Sequence, residues 1–254
     1  MLLVIDIGNT NTVIGLFDAQ TLICDWRIRT EKDTTADELG VIISHLFTGA
    51  GVSMKDVDRT VISSVVPPVD RAYAGFCKKY LADSPRWIDA SAATGITIQY
   101  RNPSEIGADR IVNAVAAYAK YRTDLIVIDF GTAITFDLIS ALGVYTGGII
   151  APGISIAAEA LFQRASKLPR VDLLTPPEAV IGRDTEGSIK SGIIFGFAGL
   201  VDGIVNRIQS QDNKKRKVIA TGGLAPLIAG VCETIESVEP NLTLEGLRII
   251  GMNA

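Results

Sequence analysis

The sequence predicts an α/β protein made of two related halves, and three observations predict it. The phrase Val4-Ile5-Asp6-Ile7-Gly8-Asn9-Thr10-Asn11-Thr12 returns as Val127-Ile128-Asp129-Phe130-Gly131-Thr132-Ala133-Ile134-Thr135. Each copy is an apolar strand closing on Asp-x-Gly, followed by small hydroxyl or amide residues and a second β-rich run. The patterns that follow each copy also repeat: three strands, a helix, a strand and a helix, an internal duplication rather than a solenoid. Runs rich in Val, Ile and Thr alternate with runs of helical period, the mark of sheet and helix in one chain.

The elements follow in order. Strands are expected at about 2–6, 11–17 and 22–29, joined by tight turns. Thr35-Ala36-Asp37-Glu38 is a capping box that opens a helix over the apolar run Leu39–Leu46. A strand at Arg59–Val65 ends at Pro67-Pro68, and a proline in the first turn suits a helix running to about Leu81. Tyr100-Arg101-Asn102-Pro103 reads as a loop, and Gly107–Tyr121 as a helix with Ile111, Val115 and Tyr118 on one face. In the second half strands are expected near 124–129, 133–139 and 143–150, then helices over Ile154–Arg164 and Thr185–Ile208. Lys217–Thr221 reads as a strand, Ala225-Pro226 as a helix start, and Leu242–Met252 as a final helix. Within the long helix Gly192, Gly196, Gly199 and Gly203 share one face. Each interior glycine costs roughly 1 kcal/mol relative to alanine. The stripe therefore implies a close neighbour, either the protein's own sheet or another subunit.

Composition narrows the function classes. Hydrophobic residues make up 48% of the 254-residue chain, enough for one large or two ordinary cores. Lys+Arg number 24 against Asp+Glu 28, a net charge of −4 that argues against a nucleic-acid binder. The run Lys214-Lys215-Arg216-Lys217 reads as a solvated turn between helix and strand. Cys24, Cys77 and Cys232 are widely spaced, which is neither a disulfide framework nor a zinc site and suits a reducing cytosol. Asp6 interrupts the apolar start with no basic segment before it, so no signal peptide is expected. The stretch Ile149–Phe162 is broken by Gly, Pro and Glu159 and is too short to span a bilayer. A cytoplasmic protein without membrane or nucleic-acid partners is the expectation.

The residues that suggest chemistry sit at the turns. Gly8 lets the backbone bend toward a ligand, and Asn9, Thr10, Asn11 and Thr12 offer side-chain and N–H donors for phosphate oxygens. Asp6 beside an anionic ligand makes sense with a cation between them, and magnesium fits that role. Asp129, Gly131 and Thr132 repeat the logic, and Ile149–Gly153 and Thr221-Gly222-Gly223 add two further glycine turns. Neither a P-loop nor a Rossmann fingerprint occurs. The sole histidine, His45, has no matched partner, so a general base must be a carboxylate. The candidate is Asp109 in Gly107-Ala108-Asp109-Arg110, in the first turn of a helix. An aspartate there also serves simply to offset the helix dipole. As a base it would orient an attacking hydroxyl and accept its proton late, which phosphoryl transfer tolerates. Arg110 offers a planar donor fork to an anion.

Asp6-x-Gly8-Asn9-Thr10, Gly107-Ala108-Asp109-Arg110, Asp129-x-Gly131-Thr132-Ala133, Gly147–Gly153 and Thr221-Gly222-Gly223 together resemble the type III pantothenate kinases. Asn102-Pro103 and Lys167-Leu168-Pro169 add to a likeness that covers essentially the whole chain. The resemblance implies duplicated ribonuclease-H-like domains of the actin-like ATPase type, with mixed sheets flanked by helices, here 1–120 and 121–254. It implies transfer of the ATP γ-phosphate to the primary hydroxyl of pantothenate, the first step of coenzyme A synthesis. By that likeness Asp6, Ile7, Gly8, Asn9, Thr10, Asn11, Thr12 and Val13 cradle the ATP phosphates, assisted by Thr132. Asp109 is the proton acceptor, and Tyr100, Gly107, Ala108, Asp109 and Arg110 line the pantothenate site. Asp129 helps bind a monovalent cation, potassium or ammonium, beside the magnesium that Asp6 would hold. Homodimers are typical, with a threonine of a second copy closing the substrate site. That position matches Thr185 in Gly182-Arg183-Asp184-Thr185, where the family more often has an amide in place of Asp184. A different small hydroxylated substrate, or a kinase-like nucleotide-binding regulatory protein without pantothenate kinase activity, is the alternative.

Overall fold

The computed structural model describes residues 1–90 and 94–252, and the chain divides into two compact α/β units. The first comprises Met1–Lys120 together with the stretch from Asn241 on, and the second Tyr121–Pro240. The first unit contains β1 (Leu2–Ile7), β2 (Asn11–Asp18), β3 (Thr21–Arg29), α1 (Ala36–Gly49), β4 (Arg59–Ser64), α2 (Pro67–Phe76), β5 (Arg86–Trp87) and α3 (Ala108–Tyr121). The second contains β6 (Leu125–Phe130), β7 (Ala133–Ile139), β8 (Val144–Pro152), α4 (Ile154–Arg164), α5 (Thr185–Asp212), β9 (Lys217–Thr221), α6 (Ala225–Ala229) and β10 (Ser237–Val238). The last helix, α7 (Leu242–Met252), returns to the first unit.

The duplication is explicit in the strand orders. The first unit pairs its strands as β3-β2-β1-β4-β5, and the strands within Tyr121–Pro240 pair as β8-β7-β6-β9-β10. In both, the first three strands are antiparallel and the next two join in parallel. β1 and β6 even share one burial profile, buried at every position except the aspartate.

Period-two alternation explains why β1 is apolar at every position but Asp6. Leu3, Ile5 and Ile7 face Leu39, Ile43 and Phe47 of α1 and Val69, Tyr73 and Phe76 of α2. Leu2 and Val4 face the other way, toward Val112 and Val115 of α3 and Leu244 and Leu247 of α7. A strand covered on both sides carries no polar face. Burial of each such side chain contributes roughly 1.5–3 kcal/mol.

The helix ends follow their local signals. Thr35 and Glu38 form the expected capping box at α1. α2 begins at Pro67 and continues past Phe76 as a π-helix over Cys77–Leu81, so the helical stretch ends at the expected Leu81, closed by Ala82 in the left-handed region at φ 53°. α5 runs four residues past the expected Ile208, to Asp212.

The second expected domain, 121–254, needs correction, because α7 packs on the first sheet. The Leu244 side chain lies over Gly15, and Gly251 lies against Leu2 and Val61. Gly246 approaches the Val112 carbonyl so closely that a Cβ would stand 2.2 Å from it. Arg59 and Arg86 donate to the carbonyls of Gly251 and Ile250 at 2.5 and 3.0 Å. Those guanidinium groups satisfy carbonyls that the helix end leaves open and complement its dipole.

In the second unit α5 buries Ile194, Val201, Val205 and Ile208 in the core against β6 and β7. Its glycine stripe faces the opposite way. A Cβ at Gly192, Gly196 or Gly199 would meet nothing within 4 Å, and one at Gly203 meets only the tip of Arg207. Packing against the protein's own sheet therefore does not explain the stripe. Among the described residues, α5 is also the one helix that length and apolar composition would allow to cross a membrane.

Candidate functional site

Asp6 is the fifth residue of β1, where the strand is about to turn. Its parallel neighbour on β4 is Ser63, fully buried, whose Oγ donates to Asp6 Oδ1 at 2.6 Å. Burial pushes the Asp6 carboxyl up to about 7, and the negative charge of Asp109 adds to the effect. The Ser63 hydrogen bond and the Arg27 charge pull the other way without cancelling it. A carboxylate so placed is short of positive charge. The Asp6 and Asp109 carboxylates, far apart in sequence, therefore act on one another within a single unit.

The turn after Asp6 closes with the Gly8 N–H donating to the Asn11 carbonyl at 3.1 Å. Asn9 and Thr10 are exposed at its tip, while Ile7 is buried and offers only backbone. Thr12 departs from the expected side-chain donor role. It is fully buried and its hydroxyl lies 2.9 Å from that of Thr30, so it supports the turn from beneath. Val13, partly buried, continues β2.

Gly107 and Asp109 form the start of α3. Asp109 is partly buried, and its Oδ1 accepts from the Arg110 N–H at 2.8 Å. A Cβ on Gly107 would come within 2.5 Å of that same oxygen, so glycine is needed there to leave the carboxylate its room. Ahead of it lies a groove of about 930 Å³, lined among others by Ser64, Asp89, Asn102, Glu105, Gly107 and Ala108. Gly107 and Ala108, the two residues before Asp109 in the chain, are part of its wall. Tyr100 is partly buried and not part of its wall, and Arg110 is buried at 7% exposure rather than an open fork.

The second unit repeats the turn. Asp129 is the fifth residue of β6 and pairs in register with Thr221 of β9, as Asp6 pairs with Ser63. Gly222, at φ +93°, lies directly against it, and a Cβ there would stand 2.5 Å from Asp129 Oδ1. Thr132 is exposed in the short turn to β7. Asp184 is the N-cap of α5, accepting from the Gly187 N–H at 2.7 Å, a role its carboxylate fills as well as an amide would. Thr185 follows, exposed, beside a second groove of about 760 Å³ lined by Leu161, Arg183, Ser188 and Ile193.

The remaining features carry no chemistry. Arg216 pairs with Asp212, and Lys217 with Glu236, so the basic run is the expected solvated turn. All three cysteines are free, and burial pushes the Cys77 and Cys232 thiols up to about 12. His45 is exposed on α1. Among the described residues no three metal-ligating side chains cluster. Ser63 and Thr30 went unnoticed in the sequence, where each reads as an ordinary strand-end residue.

The comparisons with known proteins agree with the motifs. The family model described as type III pantothenate kinase matches residues 2–207. The type III pantothenate kinase of Desulfosudis oleivorans is 68% identical over the full length of both chains. That of Desulfatibacillum aliphaticivorans is 60% identical, over 98% of this chain and 97% of its own. Among solved structures, a Campylobacter jejuni protein named for the Baf family of transcriptional activators is 20% identical. It has a TM-score of 0.62 and covers 99% of this chain and 98% of its own. The ROK hexokinase of Thermus thermophilus matches at 13% identity and a TM-score of 0.52, over 99% and 98%. At such identities these structures show the fold alone, that of the actin-like ATPases and sugar kinases. By its motifs, its duplicated sheets and its relatives, the chain belongs to the type III pantothenate kinase family.

Proposed function

We propose that the chain transfers the γ-phosphate of ATP to the primary hydroxyl of pantothenate, with Asp109 as proton acceptor and the Asp6–Val13 turn as phosphate cradle. One observation carries the assignment. Asp6 and Asp109 are close enough for the charge of one to lift the pKa of the other. A base and a phosphate-side carboxylate must be neighbours if the acceptor hydroxyl and the γ-phosphate are to meet.

In this reading the backbone N–H groups of Asn9 to Asn11 hold phosphate oxygens. The 930 Å³ groove before Gly107 takes pantothenate and presents its hydroxyl to Asp109. Asp109 orients that hydroxyl and accepts its proton as the bond to phosphorus forms, while ADP leaves with the electron pair.

The Asp6 carboxylate fits magnesium, since desolvation of its carboxyl and a neighbouring negative charge leave it short of positive charge. Asp129, lodged against the bare Gly222, fits the carboxylate ligand of potassium or ammonium. Bound there, these cations supply neutralisation of phosphate charge.

The exposed glycine stripe of α5, flanked by Ile193 and Phe197, suits close packing of a second copy and gives its apolar length a role other than membrane insertion. In that homodimer Thr185 completes the substrate site of the other copy. Three free thiols and no disulfide pairing in their spacing suit a cytoplasmic setting. The test is ADP release with and without pantothenate, with the product identified by mass. Release that depends on pantothenate and yields phosphopantothenate supports the reading. Nucleotide binding without pantothenate-dependent release favours a regulatory protein instead.

A further inference from the structure

Beneath the first Asp-x-Gly turn runs a line of hydroxyl groups for which the proposed reaction has no task. Thr30 Oγ1 donates to the Gly8 carbonyl at 2.7 Å. Thr12 Oγ1 lies 2.9 Å from Thr30 Oγ1, and the Tyr73 hydroxyl reaches Thr12 Oγ1 at 3.3 Å. All three side chains are buried, with Thr12 at 0%, Tyr73 at 2% and Thr30 at 8% exposure.

A hydroxyl has one proton to donate. Thr30 gives its proton to Gly8, so the bond between the threonines must carry the proton of Thr12. Thr12 then has only acceptor capacity left, which Tyr73 fills. Burial raises the Tyr73 phenol above its usual range, so it remains a donor. Donation therefore runs one way, from Tyr73 to Thr12 to Thr30 to the Gly8 carbonyl.

The consequence lies in the peptide that follows. A planar trans peptide points its C=O and N–H in opposite directions, and no described peptide is cis. With the Gly8 carbonyl drawn down into the relay, the N–H of Asn9 is aimed away from the core. That is the side on which Asn9 and Thr10 are exposed. Thr30 holds the turn a second time through its own N–H, which donates to the Thr10 carbonyl at 3.1 Å.

We propose that Thr30, backed by Thr12 and Tyr73, is a positioning residue of the nucleotide site that locks the Gly8–Asn9 peptide with its N–H toward the phosphates. The inference rests on the reading of the 6–13 turn as the phosphate cradle. It adds a residue remote in sequence, whose hydroxyl never touches the ligand.

The test compares Thr30→Val, which keeps the shape and loses the hydroxyl, with Thr30→Ser, which keeps the hydroxyl. Thr30→Val should raise KM for ATP roughly five- to tenfold, the weight of one net hydrogen bond, and leave KM for pantothenate within about twofold. Thr30→Ser should restore the ATP value. Tyr73→Phe removes only the loosest link and should raise the ATP KM roughly twofold. It serves as the deciding variant if Thr30→Val does not fold.

Equal ATP KM values in wild type and Thr30→Val, or in Tyr73→Phe where that variant decides, overturn the proposal. So does an equal rise for both substrates, which would mark a purely structural role. Amide NMR of the wild-type protein with a non-hydrolysable ATP analogue separates this from failure of the cradle reading. If the Asn9 and Thr10 amides do not shift, the cradle reading is wrong. If they shift and the variants bind like wild type, only the relay is wrong.

Discussion

Asp6→Asn should make the ligand-free protein more stable at neutral pH, by an amount that vanishes in acid. The Asp6 carboxyl is raised from 3.8 to about 7 by burial and by the charge of Asp109. At roughly 1.4 kcal/mol per unit, that rise of about three units is about 4 kcal/mol. The sign follows from proton counting. The unfolded chain loses this proton near pH 4, whereas the folded protein keeps it until about pH 7. Between those values the folded state binds more protons, so stability falls as pH rises, and it levels off above about pH 7. Asparagine retains an oxygen for the Ser63 hydroxyl and removes the charge. The stability difference between variant and wild type should be near zero at pH 4 and approach about 4 kcal/mol at pH 8. For a chain of this size that corresponds to roughly 8–15 °C in Tm. Calorimetric melting from pH 4 to 8, without nucleotide or divalent cation, reads it directly, because groups not coupled to Asp6 titrate alike in both proteins. In an Asp109→Asn background the gain should shrink, since part of the perturbation disappears. An offset independent of pH, or a variant less stable at pH 8, would refute the reasoning.

Two further outcomes bear on the parts outside the first unit. Gly196→Leu should fold, since nothing else in its own chain lies within 4 Å of a Cβ there, yet convert the proposed dimer to a monomer in light scattering. A Gly196→Leu protein that remains dimeric would remove the α5 stripe from the interface. Replacing potassium or ammonium by sodium should suppress turnover in wild type, and Asp129→Asn should abolish the difference between the salts. Equal rates of the wild type in all three salts would remove the cation role of Asp129.

Much of the fold was legible because its signals are local. The capping box at Thr35, the Pro67 start of α2 and the bounds of α4, β9 and α7 follow from residues adjacent in the chain. The repeated Asp-x-Gly phrase revealed a duplication that the two strand orders make plain. What escaped is what only register and tertiary packing decide. α7 follows the second unit in sequence, but its destination depends on Gly15, Gly246 and Gly251 meeting partners in the first sheet. No periodicity encodes that. Ser63 became visible only when β4 was laid beside β1, and Thr30 only when the β3 end was folded under the turn. Thr12 has the residue type of a phosphate donor, but alternation along β2 turns it inward. The motif supplied the kind of chemistry, and strand register decides which side chains can perform it.

The measurement that bears most directly on the account is single-turnover phosphate transfer by Asp109→Asn, with ATP affinity measured on the same sample. The account expects the transfer rate to fall roughly 10²–10⁴-fold, the usual weight of a general base, while ATP affinity stays within a few-fold of wild type. A variant that transfers phosphate to pantothenate within tenfold of the wild-type rate would contradict it and remove Asp109 from the centre of the mechanism.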